Sequence, residues 1–237
     1  MPTKEYLVPE DTSLIEDAAL FLRDKLLIRL LRRLGCRVGE VLGLEVKHFD
    51  FQKRQVKIEH EKHVRSLYCP YCHQEGRKPE TRLAKTHKFC PICTKPVEQP
   101  IIKIINVPLL RKLPVDEDTL EMVRNYIKGG GVTEVKGKKL LFARTRQWAW
   151  GVVVDCAKRA GFDQLENPEN ERKHHVSPHK FRDAFAINAI KKRPTLDDAR
   201  LLQELLGHSS INTTLRYRKV AGAELQEFYD DLLKEES

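Results

Sequence analysis

Four of the six cysteines stand in two closely spaced pairs, and this pattern constrains the fold more than any other feature of the sequence. The pairs are Cys69-Pro-Tyr-Cys72 and Cys90-Pro-Ile-Cys93, with seventeen residues between them. Such spacing is typical of two tight turns that supply four thiolates to one tetrahedral Zn²⁺ ion. A site closed by four protein ligands leaves no position for a substrate water, so we expect a structural metal.

Other interpretations of the cysteines remain open. Two disulfides or idle thiols would use the same residues, and iron could replace zinc. The chain starts without the basic-then-apolar layout of a signal peptide and has no apolar run of membrane-spanning length. We therefore expect a cytoplasmic protein with reduced thiols and no membrane partner. Cys36 and Cys156 fall in apolar helical segments and are expected to be core residues.

The cysteine pairs lie in a stretch whose composition differs from its surroundings. Residues 68–100 are poor in aliphatic side chains, whereas residues 55–60 and 101–107 on either side alternate between apolar and polar side chains as strands do. We therefore expect two parts. Residues 1–67 and 101–237 would form a main domain, and residues 68–100 would be a zinc-ribbon insertion between two of its strands.

Positive charge is concentrated around this insertion. Residues 52–113 contain fourteen Lys and Arg against five Glu, an excess that equals the net charge of the whole 237-residue chain, +9. A charged stretch is often only a solvated surface, but an entire net charge confined to one quarter of the chain favours a surface that faces phosphates. Double-stranded DNA is the partner that we expect for it.

The rest of the chain is predicted to be mainly helical. Ser13 and Glu16 have capping-box spacing, and residues 14–34 carry apolar side chains at helical intervals until Gly35, so we expect one buried helix there. A helix over residues 38–44 and strands over 46–51 and 55–60 are predicted next, followed by helices over 114–128, 148–160, 178–190, 195–206, from 210 onward, and over 222–234. This pattern predicts an α+β fold, mainly helical, with a small β-sheet that carries the insertion.

Two segments carry side chains suited to phosphate chemistry. His179 and Arg182 are three residues apart on a predicted helix, so both project from one face near its first turn, where anions are favoured. His208 is predicted at a helix end, and Tyr217 follows nine residues later. Taken alone, each has an ordinary explanation, since a histidine often caps a helix and a tyrosine is often a packing residue.

Four short motifs, in order along the chain, resemble those of the tyrosine recombinase family, which includes phage integrases and Xer-like proteins. They are Gly35-Cys-Arg37-Val-Gly-Glu40, His179-Lys-Phe-Arg182, Leu206-Gly-His208 and Tyr217. The resemblance extends over nearly the whole chain and implies the DNA breaking-rejoining catalytic domain of that family. Four motifs in the right order are far more specific than any one of them.

The resemblance implies that Tyr217 is a nucleophile that attacks a DNA phosphate, forms a 3′-phosphotyrosyl bond and releases a 5′-hydroxyl. The covalent bond stores the phosphodiester for rejoining, so neither ATP nor a catalytic metal is expected. A phenol with a pKa near 10 needs help to lose its proton. We expect His179 to be the base and His208 to donate to a phosphate oxygen.

Arg37 and Arg182 are expected to bind the negative charge that develops on the non-bridging phosphate oxygens. A guanidinium group offers phosphate a planar fork of donors that lysine cannot reproduce. For Arg37 the alternative is an ordinary ion pair with Glu40, three residues on. We expect Glu40 to support Arg37 rather than to act on DNA.

The leaving 5′-oxygen needs a proton, which the family takes from a lysine on a β-hairpin. Lys62 follows the strand predicted over residues 55–60 and stands where that lysine would lie. Lys103, on the returning strand, is the alternative, because the cysteine insertion could displace the hairpin. For either lysine, an ordinary solvated charge is the competing explanation.

The chain also departs from the family pattern. Asp183 follows Arg182 where relatives often carry His, and the family rarely carries a four-cysteine insertion. Tyr6-Leu-Val-Pro-Glu resembles the usual entrance to the catalytic domain, so we expect no separate N-terminal domain that encircles DNA. The basic ribbon is the expected substitute as a source of DNA affinity.

Three functions remain open from the sequence. A recombinase or integrase of a mobile element is favoured, because the active-site set is complete apart from the lysine. The alternatives are a catalytically silent DNA-binding protein of the same fold and a DNA-relaxing enzyme like the type IB topoisomerases. Relatives pack an amphipathic tail on a neighbouring protomer, so we expect a dimer or tetramer on DNA, although residues 222–234 could equally pack on their own domain.

Overall fold

The computed structural model describes residues 6–74, 82–166, 172–193, 195–208 and 210–219. They form two compact units, one made of the chain up to Ile58 and from Arg111 onward, the other made of Glu59–Leu110. We call them the main unit and the cysteine unit. No helix in the described ranges is long and apolar enough to cross a membrane.

Helices dominate the main unit, and short strands lie between them. Across the described residues of both units, the helices are α1 (Pro9–Asp17), α2 (Leu22–Leu34), α3 (Val38–Leu42), α4 (Pro70–Gln74), α5 (Glu117–Lys128), α6 (Arg146–Arg159), α7 (Pro178–Lys192), α8 (Leu196–Leu206) and α9 (Ile211–Lys219). The strands are β1 (Phe49–Asp50), β2 (Gln55–Tyr68), β3 (Arg82–Leu83), β4 (Ile101–Pro114), β5 (Thr133–Val135), β6 (Lys138–Leu140), β7 (Gln164–Glu166) and β8 (Lys173–His175). The predicted α+β, mainly helical fold is confirmed.

The core of the main unit is built around α2. Its leucines at helical spacing, Leu26, Leu27, Leu30 and Leu31, are completely buried, and the helix packs against α5 and α7. Gly35 ends α2 in the left-handed conformation, with φ +59°, as the sequence predicted. A side chain at this position would collide with the ring of Phe185.

Capping residues fix the starts of three further helices. Asp116, Thr145 and Thr195 each accept a hydrogen bond from a backbone N–H in the first turn of α5, α6 and α8. The helices predicted to begin near residues 114, 148, 178 and 195 are therefore confirmed as α5, α6, α7 and α8. Pro178 lies in the first turn of α7. The helix predicted over residues 222–234 lies outside the described residues.

The single helix predicted over residues 14–34 is wrong, because the chain forms α1 and α2 with a break between them. Ser13 does not start a helix, since α1 already begins at Pro9. Glu16 does not cap a helix either, because Arg29 and Arg32 donate to its two carboxylate oxygens. The capping-box spacing was coincidental, and a long-range ion pair uses the carboxylate instead.

The short strands of the main unit pair as antiparallel hairpins. β1 pairs with the start of β2, with Phe49 opposite Val56. Of the strand predicted over residues 46–51, only β1 forms, and Val46–His48 is a 3₁₀ turn. The hairpins β5–β6 and β7–β8 were not predicted, because three-residue strands with mostly exposed side chains carry little apolar alternation.

The cysteine unit contains most of β2 and β4, together with α4 and β3. β2 pairs with β3, with Leu67 opposite Leu83, and also with β4. Its apolar core is small and consists of Cys69, Cys72, Leu83 and Cys90, with Leu67, Cys93 and Val97 against them. Four of these seven side chains are the paired cysteines, so hydrophobic burial alone stabilises this unit weakly.

Candidate active site and metal centre

Arg37 lies where α2 ends and α3 begins, and it is the N-cap residue of α3. Its backbone N–H donates to Glu40 Oε2 (2.8 Å), and its Nη1 donates to Glu40 Oε1 (3.2 Å). The ion pair that the sequence offered as an alternative is therefore present. The side chain of Arg37 is nevertheless 41% exposed, so an anion can reach its guanidinium group.

Glu40 is a buried carboxylate that two arginines hold. Its side chain is 2% exposed, and Arg111 Nη2 donates to its Oε2 at 2.6 Å. Burial by itself would raise the pKa of the Glu40 carboxyl, but the charge and hydrogen bond of Arg111, together with those of Arg37, outweigh it and lower the pKa. Glu40 is therefore charged at neutral pH and orients both arginines.

Arg111, near the end of β4, is a member of this cluster that the sequence did not single out. Its side chain is 10% exposed, and Nη2 also contacts Cys36 Sγ at 3.8 Å. It packs against Gly207, where an added Cβ would collide with Nη1. Among the described residues its buried Nε has no hydrogen-bond partner. Sequence reasoning counted Arg111 only as one basic residue of fourteen, because no local pattern indicates contacts this distant.

Arg182 is almost completely buried, with 1% of the residue exposed. Its Nη1 donates to the carbonyl of Gly35 (2.8 Å) and its Nη2 to the carbonyl of Leu206 (2.7 Å). Burial and the positive charge of Arg37 lower the pKa of Arg182. The guanidinium group thereby joins the C-terminal ends of α2 and α8, the two points from which Arg37 and His208 project.

His208 follows the left-handed Gly207 that ends α8, with φ +68°. Its Nδ1 lies 2.9 Å from Thr214 Oγ1, and its ring stacks on that of Tyr217 with centroids 6.3 Å apart. Burial and then the charge of Arg182 lower the pKa of His208 to about 4. His208 is therefore neutral at physiological pH and retains one ring N–H as a donor.

Tyr217 lies on α9 and is half-buried. Its hydroxyl donates to Asp183 Oδ1 at 3.0 Å, and His179 Nε2 lies 3.5 Å from the same oxygen. Burial, followed by the charge and hydrogen bond of Asp183, raises the pKa of Tyr217 to about 12. In the described residues, His179 thus reaches the phenol through Asp183 and not directly.

The structure brings together five of the six predicted active-site residues from four separate stretches of chain, because His179 and Arg182 share α7. These are Arg37, His179, Arg182, His208 and Tyr217. The sixth, Lys62, lies in β2, but its side chain falls outside the described residues. The alternative, Lys103, lies in the cysteine unit with its ammonium group 5.3 Å from the centre of the Tyr68 ring.

The four paired cysteines converge on one point in the cysteine unit. Cys69 Sγ lies 3.6 Å from Cys93 Sγ, Cys72 Sγ lies 3.8 Å from Cys90 Sγ, and all four ligand atoms lie within 4.8 Å of one another. Zn–S bonds of about 2.3 Å in a tetrahedron separate the sulfurs by about 3.8 Å. The thiols therefore fit one such metal ion. Cys36 and Cys156 are buried core residues of the main unit, as predicted.

Comparison with known families decides what kind of protein carries this site. The family model described as the phage integrase family matches residues 10–90 and 103–224, which is most of the chain. The chain belongs to the phage integrase family. The predicted resemblance to tyrosine recombinases is thereby confirmed.

Curated members of this integrase family include tyrosine recombinases that are similar to the chain. Tyrosine recombinase XerD of Mycobacterium tuberculosis is 27% identical over 238 aligned positions, which cover 95% of this chain and 60% of the relative. Tyrosine recombinase XerA of Pyrococcus furiosus is 25% identical over 206 positions, which cover 87% of this chain and 53% of the relative. The chain therefore spans only 53–60% of the length of these relatives.

Solved structures agree with the integrase fold. A crystal structure of XerA recombinase aligns with a TM-score of 0.58 at 19% identity and covers 98% of this chain and 64% of that one. XerH recombinase in a post-cleavage complex with palindromic difH aligns with a TM-score of 0.60 at 19% identity and covers 96% and 53%. At these identities, the likeness shows the fold.

Proposed function

We propose that this chain is a site-specific recombinase that cleaves and rejoins double-stranded DNA through a 3′-phosphotyrosyl bond to Tyr217. One observation carries the proposal: the two arginines, two histidines and tyrosine named above form one cluster. Positive, oriented donors around a nucleophile suit a reaction whose negative charge develops on phosphate oxygens. Membership of the integrase family and the recombinases among its relatives support the same reaction.

The arginines would bind the scissile phosphate. Arg37 can do so directly, because part of its guanidinium group is exposed while Glu40 fixes the rest. Arg182 has five N–H donors, of which two are directed to the carbonyls of Gly35 and Leu206. Its charge is close enough to His208 to lower that imidazole's pKa, so it would also stabilise an anion bound beside His208.

Cleavage would form the bond between Tyr217 Oη and phosphorus and break the bond between phosphorus and the 5′-oxygen. The neutral His208 would donate its ring N–H to a non-bridging oxygen. A bound phosphate would also favour protonation of this imidazole, because the negative charge opposes the cations that now lower its pKa. Rejoining reverses the same steps, since the phosphotyrosyl bond keeps the phosphodiester at the same oxidation state and energy level.

The leaving 5′-oxygen would take its proton from Lys62, with Lys103 as the alternative. A DNA strand with sulfur in place of that bridging oxygen tests this role, because a thiolate leaves without protonation. We expect Lys62→Ala to slow cleavage of ordinary DNA by about 10²–10⁴-fold and to leave cleavage of the sulfur-bridged strand near the wild-type rate. If Lys103→Ala shows this pattern and Lys62→Ala does not, Lys103 is the acid.

We propose that the four-cysteine cluster binds one Zn²⁺ ion as a structural metal. The ligand residues would be Cys69, Cys72, Cys90 and Cys93, whose spacing fits a tetrahedron. Among the described basic residues near these cysteines in the sequence, Arg82, Lys85, Lys88 and Lys95 are exposed. We propose that they contact DNA phosphates and add affinity that is sensitive to salt. Deletion of residues 68–100 should then weaken DNA binding and reduce its salt dependence, whereas unchanged binding would exclude this role.

The protein is proposed to act as a dimer or tetramer on DNA, as recombination between two duplexes requires. Sedimentation of the protein with and without duplex DNA tests this. We expect a species with two or four protomers in the DNA-bound sample. A single protomer per duplex at saturating protein would argue for a relaxing enzyme or a binding protein instead.

Covalent capture tests the central reaction. The probe is a pool of 5′-labelled duplexes with randomised sequence and a nick just 3′ of each candidate phosphate, so that the short 5′-hydroxyl fragment diffuses away and the adduct is trapped. We expect a denaturation-resistant protein–DNA adduct with wild-type protein and with Tyr6→Phe, and none with Tyr217→Phe. An adduct with Tyr217→Phe would exclude the assigned nucleophile, and none with wild type would favour the silent DNA-binding protein.

A further inference from the structure

Asp183 is the one residue in the cluster whose contact with the nucleophile the family motifs do not explain. It follows Arg182 on α7, and its carboxylate accepts the hydrogen bond of the Tyr217 hydroxyl at 3.0 Å. The side chain is 19% exposed, and the same oxygen lies 3.5 Å from His179 Nε2. The carboxylate therefore lies between the nucleophile and the histidine that the sequence predicted as its base.

We propose that Asp183 accepts the proton of Tyr217 during strand cleavage and returns it during rejoining. This inference rests on the proposed recombinase reaction. His179, whose Nε2 lies 3.5 Å from that oxygen, is then a positioning residue that keeps the carboxylate directed at the phenol. An aspartate that accepts the proton of an attacking hydroxyl is also how protein kinases activate their substrate.

The atoms balance in both directions. In cleavage, the O–H bond of Tyr217 breaks as an O–H bond forms on Asp183 Oδ1, while the new bond to phosphorus replaces the bond to the 5′-oxygen. The proton for that leaving oxygen comes from the separate lysine acid. In rejoining, the incoming 5′-hydroxyl gives its proton to that amine, and Asp183 returns the first proton to the departing phenol oxygen.

The surroundings of Tyr217 explain why proton transfer must accompany attack. With a pKa of about 12, only about one phenol in 10⁵ is ionised at pH 7, so a preformed phenolate is scarce. His208 is a poor acceptor, because its Nδ1 contacts Thr214 and its ring stacks on the phenol ring. Among the described residues, Asp183 is the group that contacts the hydroxyl itself.

Single-turnover cleavage of the nicked duplex, measured from pH 5 to 10, tests the inference. We expect Asp183→Asn to slow cleavage by about 10²–10⁴-fold at neutral pH, because the amide keeps the shape but cannot take a proton. Its rate should rise steadily with pH as the phenolate becomes populated. The control Asp155→Asn, at an exposed position of α6, should cleave at the wild-type rate.

A second variant separates base catalysis from positioning. Asp183→His restores a group that can take a proton, so we expect part of the cleavage rate to return. The rate should fall off at a higher pH than in wild type, because imidazole protonates at higher pH than carboxylate. DNA affinity, measured beside the rates, should be the same for wild type and both variants. A loss of folding would lower affinity and rate together at every pH.

Three results would overturn the inference. The first is a cleavage rate of Asp183→Asn that equals or exceeds the wild-type rate, because Asp183 would then be a bystander or a restraint on Tyr217. A variant whose pH profile parallels that of wild type would also exclude base catalysis. The third is that wild-type protein forms no adduct, in which case the proposed recombinase reaction fails and the inference fails with it. If wild-type protein forms the adduct normally and Asp183→Asn cleaves at the wild-type rate, the inference alone is overturned.

Discussion

The two units organise their polar clusters by different means. In the main unit, protein groups bind the charged side chains of the cluster: Glu40 pairs with Arg37 and Arg111, and two backbone carbonyls accept hydrogen bonds from Arg182. A large apolar core surrounds them. In the cysteine unit, four thiols form most of a very small core, and the group that would complete them is a metal ion. The main unit can therefore fold through its own packing, whereas the cysteine unit should depend on the ion.

Removal of the metal should have the largest effect. Structural zinc sites contribute about 10–16 kcal/mol of folding free energy at neutral pH, far more than seven small side chains can replace. We expect a chelator, or Cys72→Ala, to abolish protection of backbone amides from hydrogen exchange in β2 beyond Ile58 and in residues 82–100, while α2, α5 and α7 stay protected.

Cys156→Ala is the matched control for the metal experiment. Cys156 is equally buried but lies in the core of the main unit, so this variant should retain one zinc ion per chain. Persistent protection of the cysteine unit in metal-free protein would show that its packing suffices, and the contrast between the units would disappear.

Loss of the buried carboxylate should have an intermediate effect. Glu40→Gln leaves Arg37 and Arg111 without their counter-charge, and removal of one partner from a buried ion pair costs about 3–5 kcal/mol. Urea unfolding of the main unit measures this. Glu117→Gln is the control, because the Glu117–Arg124 pair is exposed and should contribute about 0–1 kcal/mol. Equal effects of the two variants would mean that the buried network does not stabilise the main unit.

The same carboxylate gives a pH signature with a definite sign. Its folded pKa lies below the ordinary value of 4.5, so its stabilisation is fully present above pH 4.5 and is lost as the pH falls through the lower folded pKa. We expect the stability difference between wild type and Glu40→Gln to be constant from pH 6 to 7 and to shrink below pH 4.5. A difference that grows on acidification would contradict the network.

A backbone change beside Arg111 should have the smallest effect. Gly207 has φ +68°, and a methyl group there would collide with Arg111, so Gly207→Ala should destabilise the main unit by about 1–2 kcal/mol. Gly151 in α6 has open space around it, and Gly151→Ala should instead stabilise it by about 0.5–1 kcal/mol. If Gly207→Ala leaves the free energy of unfolding unchanged, the present position of Arg111 does not contribute to the stability of the main unit.

The sequence singled out residues that stand in short motifs and missed contacts between distant segments of the chain. Arg37, His179, Arg182, His208 and Tyr217 were predictable because each stands in a short motif whose order along the chain is informative. Arg111 and the hydrogen bond of Asp183 were not, since both depend on contacts between distant segments.

The errors in secondary structure have a similar cause. The apolar spacing of residues 14–34 is continuous through the break between α1 and α2, and Glu16 has the spacing of a cap although Arg29 and Arg32 bind it. A pattern of residue types indicates which faces of a helix are buried, but it does not indicate which distant residue will bind a carboxylate.

The covalent bond to Tyr217 is the most direct test of the reaction. The trapped protein–DNA adduct is digested with a protease that cleaves after glutamate, and the peptide that carries nucleotides is identified by mass spectrometry. The peptide covering residues 205–224 contains Tyr217 as its single tyrosine. We predict that this peptide carries the DNA through a 3′-phosphate on Tyr217. Nucleotides on any other residue, or a 5′-phosphate linkage, would contradict the proposed reaction.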